Sequence, residues 1–248
     1  MIIYGKNVVL CALNSKFKIS KVLIYENLKD KEKFIQLCQF KNVPYELVSK
    51  FRLEQLIKDD NHQGICAYFD DELQIKVQDN INNFINSNNK IILITDRIQD
   101  PYNFGSIIRT AQILNVNNII STYTQSVKIT PSVIKASAGA IFYINFSYSD
   151  NVKRVIQILE EKQVRIFALE RNGEYIENVN IGNEKIALIV GSEHYGIRKS
   201  LIDLSEKILT LRAYNNQVNS YNVSNAVSIA LYILAIKQCL SNKKCNVK

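Results

Sequence analysis

Metal-binding and disulfide-forming side chains are scarce in this sequence. Only two histidines occur among its 248 residues, and His62 and His194 are far apart, which leaves a catalytic zinc ion few ligands. The five cysteines are odd in number and none forms a C-x-x-C pair, so free thiols in a reducing compartment are predicted. The composition therefore points away from zinc enzymes and from small disulfide-rich secreted proteins.

Long hydrophobic runs are also missing. No segment approaches the ~18 to 20 unbroken apolar residues that a membrane helix needs. Residues 1–7 carry no basic stretch that leads into a long apolar segment, so no signal peptide is expected. With 47% hydrophobic and 22% charged residues, the chain is expected to be a soluble cytoplasmic protein with its own buried core.

Positive charge is in excess and unevenly distributed. The formal net charge is +8; residues 1–75 carry 11 Lys and Arg against 10 Asp and Glu, whereas residues 91–248 carry 18 against 12. The C-terminal two thirds therefore contribute +6. Since phosphate contacts dominate nucleic-acid affinity, this excess favours a polyanionic partner such as RNA without identifying it.

The N-terminal part alternates between strand and helix patterns. Strands are predicted at residues 21–25, 43–48 and 64–68, and helices at residues 31–40 and 51–57. The polar, asparagine-rich residues 76–89 are interpreted as a linker with room for a short helix. We therefore predict a small α/β domain over residues 1–75 that folds independently of the rest.

The second domain, residues 90–248, shows a clearer alternation. Strands are predicted at residues 91–95, 118–122, 140–146, 164–169 and 185–190, and helices at residues 107–114, 152–161 and 222–239. Continuous apolar strands separated by helices predict a mostly parallel sheet that is covered on both faces. Ligands of such sheets bind at the carboxyl ends of the strands, where three loops are unusual.

The first loop runs from Asp96 to Arg109 and contains a proline turn followed by Asn103-Phe-Gly105. We predict that Asn-x-Gly opens a helix and that Arg109 lies about one turn inside it. A helix N-terminus with a fixed guanidinium group would form an anion site. The alternative is that Asn103 only caps the helix and Arg109 is a solvated surface charge.

The second loop, Gly191-Ser-Glu193-His-Tyr-Gly196, directly follows a predicted strand. Its two glycines would allow the backbone to approach a ligand closely. The spacing is not G-x-G-x-x-G, so a dinucleotide-binding fold receives no support. An ordinary tight connection with a solvated Glu193 is the alternative.

The third loop precedes the last, strongly apolar helix and is rich in amides and hydroxyls, ending in Ser220-Tyr221-Asn222-Val-Ser224. One such residue is enough to cap a helix, and this loop carries many more. A polar ligand site is the functional interpretation. A long capped surface loop is the alternative.

Taken together, the three loops resemble the three sequence motifs of the SpoU family of RNA ribose methyltransferases, within the SPOUT class. The matching runs are Asn103-x-Gly-x-x-x-Arg109, Gly191-x-Glu-x-x-Gly196 and Ser220-x-Asn-Val-Ser-x-Ala226. Their order and spacing agree, over about residues 90–242. Two departures stand out: Tyr221 replaces the third motif's leucine, and residues 211–220 are one residue longer than usual.

The resemblance implies an α/β domain whose C-terminal segment forms a trefoil knot, S-adenosyl-L-methionine as cofactor, and a homodimer. It implies no metal. Arg109, contributed across the dimer, would be the leading catalytic residue, acting either as a base or as a charge stabiliser. The roles of the other residues follow from the same motifs: Asn103, Glu193, Ser220 and Asn222 would orient the ribose and the loops, and the backbone of Gly191, Leu211 and Tyr221 would line the cofactor pocket.

The N-terminus extends the resemblance. Ile3-Tyr-Gly5 and Asn61-His-Gln-Gly64 are similar to the start and end of the family's small L30e-like substrate-binding domain. His62 would then either contact RNA or pack at the domain edge. This arrangement implies 2′-O-methylation of a guanosine in large-subunit (23S) ribosomal RNA. A tRNA ribose methyltransferase of the same class and a non-catalytic RNA-binding protein with the same fold are the alternatives.

Overall fold

A computed structural model describes residues 1–57, 60–70, 75–76, 81–215, 217 and 220–241 of the chain. The elements of the N-terminal part are β1 (Ile2–Tyr4), α1 (Lys6–Asn14), β2 (Ile19–Tyr25), α2 (Lys31–Phe40), β3 (Tyr45–Val48), α3 (Lys50–Leu56) and β4 (Ile65–Phe69). The strands form one sheet in the order β1-β4-β2-β3, in which only β2 and β3 pair in parallel. All the strands and helices predicted here are present, whereas β1 and α1 were not anticipated.

The C-terminal part is built on a seven-stranded sheet. Its strands are β5 (Ile75–Lys76), β6 (Ile91–Asp96), β7 (Asn118–Thr122), β8 (Asn145–Ser149), β9 (Arg165–Tyr175), β10 (Ile186–Gly191) and β11 (Lys207–Thr210). Its helices are α4 (Ile81–Asn86), α5 (Pro101–Ile113), α6 (Pro131–Ala136), α7 (Val152–Glu161), α8 (Lys199–Ile202) and α9 (Val223–Ser241). The strand order is β11-β9-β10-β6-β7-β8-β5, and every recorded pairing is parallel.

The predicted parallel sheet is thus confirmed, and its central strands explain why. Every residue of β6 is buried, as are five of the six residues of β10, because helices cover both faces. The trefoil knot stays a prediction.

The segment interpreted as a linker contributes to the larger domain. Phe84 of α4 is fully buried in the core that lies between α7 and the sheet. The short strand β5 joins the edge of the sheet beside β8. Residues 77–80 of this segment lie outside the described residues.

Helix α5 begins six residues earlier than predicted. The Asp100 carboxylate caps it by accepting hydrogen bonds from the backbone N–H groups of Tyr102 and Asn103, at 3.1 and 3.3 Å. Asn103 therefore neither opens nor caps the helix. Arg109 lies more than two turns from the N-terminus, so the predicted anion site built from this guanidinium group and the helix N-terminus is wrong.

The two parts of the chain share one hydrophobic core. Phe142 lies in a 3₁₀ turn (Ala140–Tyr143) where a strand was predicted, and the ring centroids of Phe17 and Phe69 lie 6.1 and 5.4 Å from its own. The Lys135 ammonium group also donates to the backbone oxygen of Asn61 at 2.7 Å. The predicted independent folding of residues 1–75 is therefore at odds with the structure, since separation would expose these rings to water.

We expect Phe142→Ala to lower the free energy of unfolding by about 3–5 kcal/mol, the usual cost of truncating a buried phenylalanine. Because the core is shared, both domains should unfold in one transition at a lower Tm, measured by calorimetry and circular dichroism. The matched control is Phe40→Ala, where the ring is 81% exposed and a change within about 0.5 kcal/mol is expected. Two separate transitions in the wild-type protein would contradict this prediction.

The segments that resemble the N-terminal domain of the family meet in space. The Gly5 N–H donates to Ile65 O at 3.1 Å, and the side-chain oxygen of Gln63 accepts from the first N–H of α1, that of Lys6, at 2.9 Å. His62 is only 4% exposed, and its Nδ1 accepts from the Gly64 N–H at 3.0 Å. This histidine therefore supports the turn, in line with packing at the domain edge.

Three cysteines, Cys11, Cys38 and Cys66, are free thiols, as predicted. Burial raises the pKa of Cys38 to about 11 and that of Cys66 to about 12. Both thiols stay protonated at neutral pH and are poor nucleophiles. The prediction of free thiols does not hold for Cys239, which is disulfide-bonded.

Within the described ranges, α9 alone is long and apolar enough to cross a membrane by length and composition. Its inner face, however, is part of the hydrophobic core: Val227, Ala230, Leu231 and Leu234 are fully buried. A core helix passes the same test, so this segment is weak support for a membrane span.

Candidate active site

A large cavity opens at the carboxyl ends of β10 and β11, beside the point where β9 stops pairing with β10 and beside the start of α9. Its volume is about 970 Å³, near the upper end of the ~300–1,000 Å³ typical of ligand pockets. Six of the residues predicted from the sequence line it: Gly191, Glu193, Leu211, Ser220, Tyr221 and Asn222. The cavity lies where ligands bind to open α/β sheets, at the ends of adjacent parallel strands.

Three predicted polar residues meet at the rim of this cavity. The amide nitrogen of Asn103 donates to Glu193 Oε1 at 2.8 Å, and that of Asn222 donates to the same oxygen at 2.6 Å. The Asn222 nitrogen also lies 3.1 Å from Asn103 Oδ1. Residues separated by 119 positions thus form one network, which we call the amide–carboxylate triad.

The first turn of α9 fixes the orientation of the triad. Asn222 Oδ1 accepts from the backbone N–H of Ser224 at 2.9 Å and from its hydroxyl at 2.6 Å. With its oxygen held by the helix, the Asn222 amide must present its nitrogen to Glu193. Asn222 therefore caps α9 and joins the triad through the same amide group, while a ligand site in this loop stays a prediction.

Two carboxylates anchor the loop from Gly191 to Arg198. Asp96, fully buried at the end of β6, accepts from the Arg198 backbone N–H and Nε, both at 2.9 Å, and lies 2.8 Å from its Nη2. Glu170, the residue of β9 after its last pairing with β10, accepts from the Ile197 N–H at 2.7 Å. These bonds hold Glu193 in place although its own side chain is exposed.

Gly191 has no room for a side chain. A Cβ atom at this position would overlap the backbone of Gly196 and of Ile197. The loop closes on itself at this point through a bridge between Ser192 and Gly196. Glycine at position 191 is thus required because the loop backbone approaches itself closely, while the expected approach to a ligand stays a prediction.

The third loop is also closed by a hydrogen bond. The Tyr221 hydroxyl donates to the Arg212 backbone oxygen at 2.9 Å, a bond that the leucine usual in the family's motif does not make. Ser220 lies on the cavity wall and is exposed. Residues 216, 218 and 219 of the loop lie outside the described residues.

Arg109 is separated from the other predicted catalytic residues. It is exposed on α5 and does not line the cavity. It has no hydrogen bond or ion pair with any residue that the structure describes. Its neighbours along the same helix face, Tyr102 and Ile113, are 71% and 70% exposed.

Sequence reasoning missed Asp96, Glu170 and Arg198. Asp96 is the last residue of β6, a position at the carboxyl edge of the sheet that should have drawn attention to it, whereas Glu170 lies within β9 and Arg198 directly before α8. The partner of a buried carboxylate 102 positions away is, by contrast, not readable from a pattern.

No group of three or more His, Cys, Asp or Glu side chains that could hold a metal ion occurs in the described part of the chain.

Comparisons with known proteins match both parts of the chain. The profile of the SpoU rRNA Methylase family matches residues 90–232, and that described as "RNA 2'-O ribose methyltransferase substrate binding" matches residues 2–73. An uncharacterized tRNA/rRNA methyltransferase of Borreliella burgdorferi is 29% identical over 88% of this chain and 98% of its own length.

Two solved structures share the fold. The SpoU methyltransferase AviRb from Streptomyces viridochromogenes, in complex with AdoMet, has a TM-score of 0.79 at 15% identity and covers 97% of this chain and 91% of its own. An RNA 2'-O ribose methyltransferase has a TM-score of 0.75 at 21% identity, with coverages of 97% and 89%.

Proposed function

Because the chain belongs to the SpoU rRNA methylase family, we propose that it transfers a methyl group from S-adenosylmethionine to a ribose 2′-hydroxyl of RNA in the cytoplasm. The observation that carries this proposal is the amide–carboxylate triad at the rim of the cavity. It consists of one residue from each of the three motifs. A non-catalytic RNA-binding protein would have no need to keep these three side chains bonded to one another.

The residues around the cavity fit the cofactor. Gly191 lets the loop fold back closely on Gly196 beside the cavity, and Leu211, Val190 and Val227 offer apolar surface to an adenine ring. Glu170 and Glu193 place negative charge on the cavity wall, which suits a ligand with a sulfonium and an ammonium group. When bound, the cofactor supplies a methyl group on a good leaving group.

The chain must then orient the ribose and support its weakly acidic hydroxyl. Glu193 Oε1 already accepts two hydrogen bonds, so its second oxygen is available to accept from a ribose hydroxyl. The triad thereby aligns the 2′-oxygen with the methyl group, and alignment alone accelerates such a transfer strongly. Charge that develops on the oxygen needs a cation, which neither Asn103 nor Asn222 provides.

We assign that cation to Arg109 of a second subunit. The arginine lies outside the cavity of its own chain, on an apolar surface that continues from α5 onto α9. The exposed positions on α9 follow helical spacing: Ile229, Tyr232, Ile236 and Leu240. Ser228 and Thr110 are hydrogen-bonded at 3.0 Å and join the two helices into one face. Such a face, adjacent to a core face on the same helix, fits a second copy of this chain.

The RNA substrate is proposed to be large-subunit ribosomal RNA, with a guanosine as the modified nucleotide. The N-terminal domain supports this choice, since it matches a substrate-binding profile over residues 2–73. A tRNA target is the alternative. The deciding experiment incubates the full chain with labelled S-adenosylmethionine and separated rRNA and tRNA and maps the label. Label on tRNA alone would refute the ribosomal target, and label on a base would refute ribose methylation.

Cofactor binding should depend on Gly191. We expect Gly191→Ala to weaken S-adenosylmethionine binding at least ~10-fold, about 1.4 kcal/mol, because the new Cβ would force the loop away from Gly196. Isothermal calorimetry measures the change. In the control, Gly182→Ala, the new Cβ would meet only the flexible Glu184 carboxylate, and affinity should stay at the wild-type value. Equal affinity in both variants would place the cofactor elsewhere.

A further inference from the structure

An exposed aromatic ring stands next to Glu193 and takes no part in the function proposed above. Tyr195 is 70% exposed and lines the same cavity. The Arg97 guanidinium carbon lies 5.6 Å from its ring centroid. Arg97 is held there by a 3.5 Å contact from its Nη2 to Gly196 O and by the buried Asp96, 3.6 Å from its Nε. A fixed cation thus borders a ring that is otherwise largely open to solvent.

The same pairing recurs at the end of the neighbouring strand. Tyr123, directly after β7, is 51% exposed, and the Lys128 ammonium lies 3.1 Å from its ring centroid. That ammonium donates to the Tyr123 backbone oxygen at 2.5 Å and also lies 4.4 Å from the Tyr148 ring. Tyr123 is therefore a positioned ring with a cation against it.

The two pairs are neighbours. Strands β6 and β7 pair in parallel, with Thr95 opposite Ser121, and the Arg97 N–H donates to Thr122 Oγ1 at 2.9 Å. One row of side chains therefore leads away from the cavity along the carboxyl edge of the sheet. We call Tyr195, Arg97, Tyr123 and Lys128 the tyrosine rim.

We propose that the tyrosine rim binds unpaired nucleotides of the RNA substrate. Tyr195 stacks on the base next to the reacting ribose, Tyr123 stacks on a flanking base, and Arg97 and Lys128 attract the phosphates between them. This inference rests on the proposed function, because the rim begins at the cavity that holds Glu193.

The chemistry of the rim selects single strands. In a duplex the faces of the bases are stacked on one another, whereas unpaired bases present them to aromatic side chains. Stacking on a tyrosine with a nearby cation is tolerant of sequence, because every base has a π-face. The rim therefore accounts for recognition of a loop or bulge and leaves the choice of a particular site to other contacts.

The test measures binding of the full chain to a fluorescein-labelled 12-nucleotide RNA of mixed sequence, both single-stranded and in a perfect duplex. Tyr195→Ala and Tyr123→Ala should each weaken single-strand binding about 10-fold, while Tyr195→Phe and Tyr123→Phe keep it and duplex binding does not change. The matched control is Tyr175→Ala. Tyr175 is 41% exposed and has the Arg212 guanidinium 4.0 Å from its ring, but it does not line the cavity.

Several outcomes would overturn the proposal. Wild-type affinity in both alanine variants would remove the rim from RNA binding. If the alanine and phenylalanine variants lost the same affinity, the tyrosines would act through their hydroxyl groups and stacking would be refuted. If affinity for the single strand and for the duplex fell equally, the rim would only attract phosphates and selection of unpaired bases would be refuted. Calorimetry of Tyr123→Ala with S-adenosylmethionine keeps the two proposals apart. Absence of cofactor binding in wild type and variant alike would refute the methyltransferase function while the single-strand measurement still decides the role of the rim.

Discussion

Replacing Arg109 by alanine is expected to lower the rate of methyl transfer about 10²- to 10³-fold, the usual effect of removing one preorganised charge stabiliser. Affinity for S-adenosylmethionine should not change, because Arg109 does not line the cavity. Stability should also be preserved, since the side chain is exposed and makes no hydrogen bond or ion pair within the described ranges. Single-turnover rates, calorimetry and thermal unfolding measure these three quantities separately.

Mixed dimers test whether Arg109 acts across the interface. One subunit carries Arg109→Ala and the other Glu193→Ala, and the mixed species is purified through two different tags. If the arginine acts on the partner's site, the Arg109→Ala subunit keeps its own Glu193 and receives Arg109 from its partner, so about half of the wild-type activity returns. Mixed dimers that are as inactive as both parents would show that the arginine acts within its own chain.

A charge on the outer face of α9 is expected to separate the subunits. Ile236 is 40% exposed in the single chain and lies between the exposed residues Tyr232 and Leu240 on the outer face of α9. Burying a glutamate there without a partner costs several kcal/mol, so Ile236→Glu should raise the dimer dissociation constant by ~10²-fold or more. Light scattering at micromolar concentration should then report a monomer, and methyl transfer should fall as it does in Arg109→Ala.

The control for this variant puts the same charge on a ring that belongs to no proposed interface. Phe40, at the end of α2, is 81% exposed, and Phe40→Glu should leave both mass and activity unchanged. The dimer assignment fails if the wild-type chain is already a monomer at micromolar concentration. It also fails if Ile236→Glu remains a dimer.

The prediction for Arg109 depends on a position that the sequence placed incorrectly. The Asn-x-Gly pattern suggested a helix that begins near Gly105, whereas Asp100 caps α5 and shifts its start to Pro101. The shift moves Arg109 away from the helix N-terminus and onto a lateral face. Asp100 and Asn103 are both residue types that cap helices well, so residue preference alone does not choose between them. Only the path of the chain after β6 selects Asp100.

Other elements were predictable because local pattern alone determines them. The strands at β6 and β10 are continuous apolar runs, and α7 has four apolar residues on one face; all three occur close to the predicted bounds. The pattern failed at Ala140–Tyr143, which was predicted to be a strand. Its apolar residues form a 3₁₀ turn that packs against the N-terminal domain. A run of apolar side chains indicates that a segment is buried, but it does not indicate which other segment packs against it.

The sequence by itself determined the class of the fold, the two-part organisation and the three loops that carry the polar residues, because hydrophobic period and motif spacing are properties of neighbouring residues. Only the tertiary structure decided which of those residues lie together. It brought Asn103, Glu193 and Asn222 within hydrogen-bonding distance, left Arg109 outside, and joined Asp96 to Arg198. Contacts between residues about 100 positions apart follow from the order of strands in the sheet, and that order is set by the packing of the whole chain.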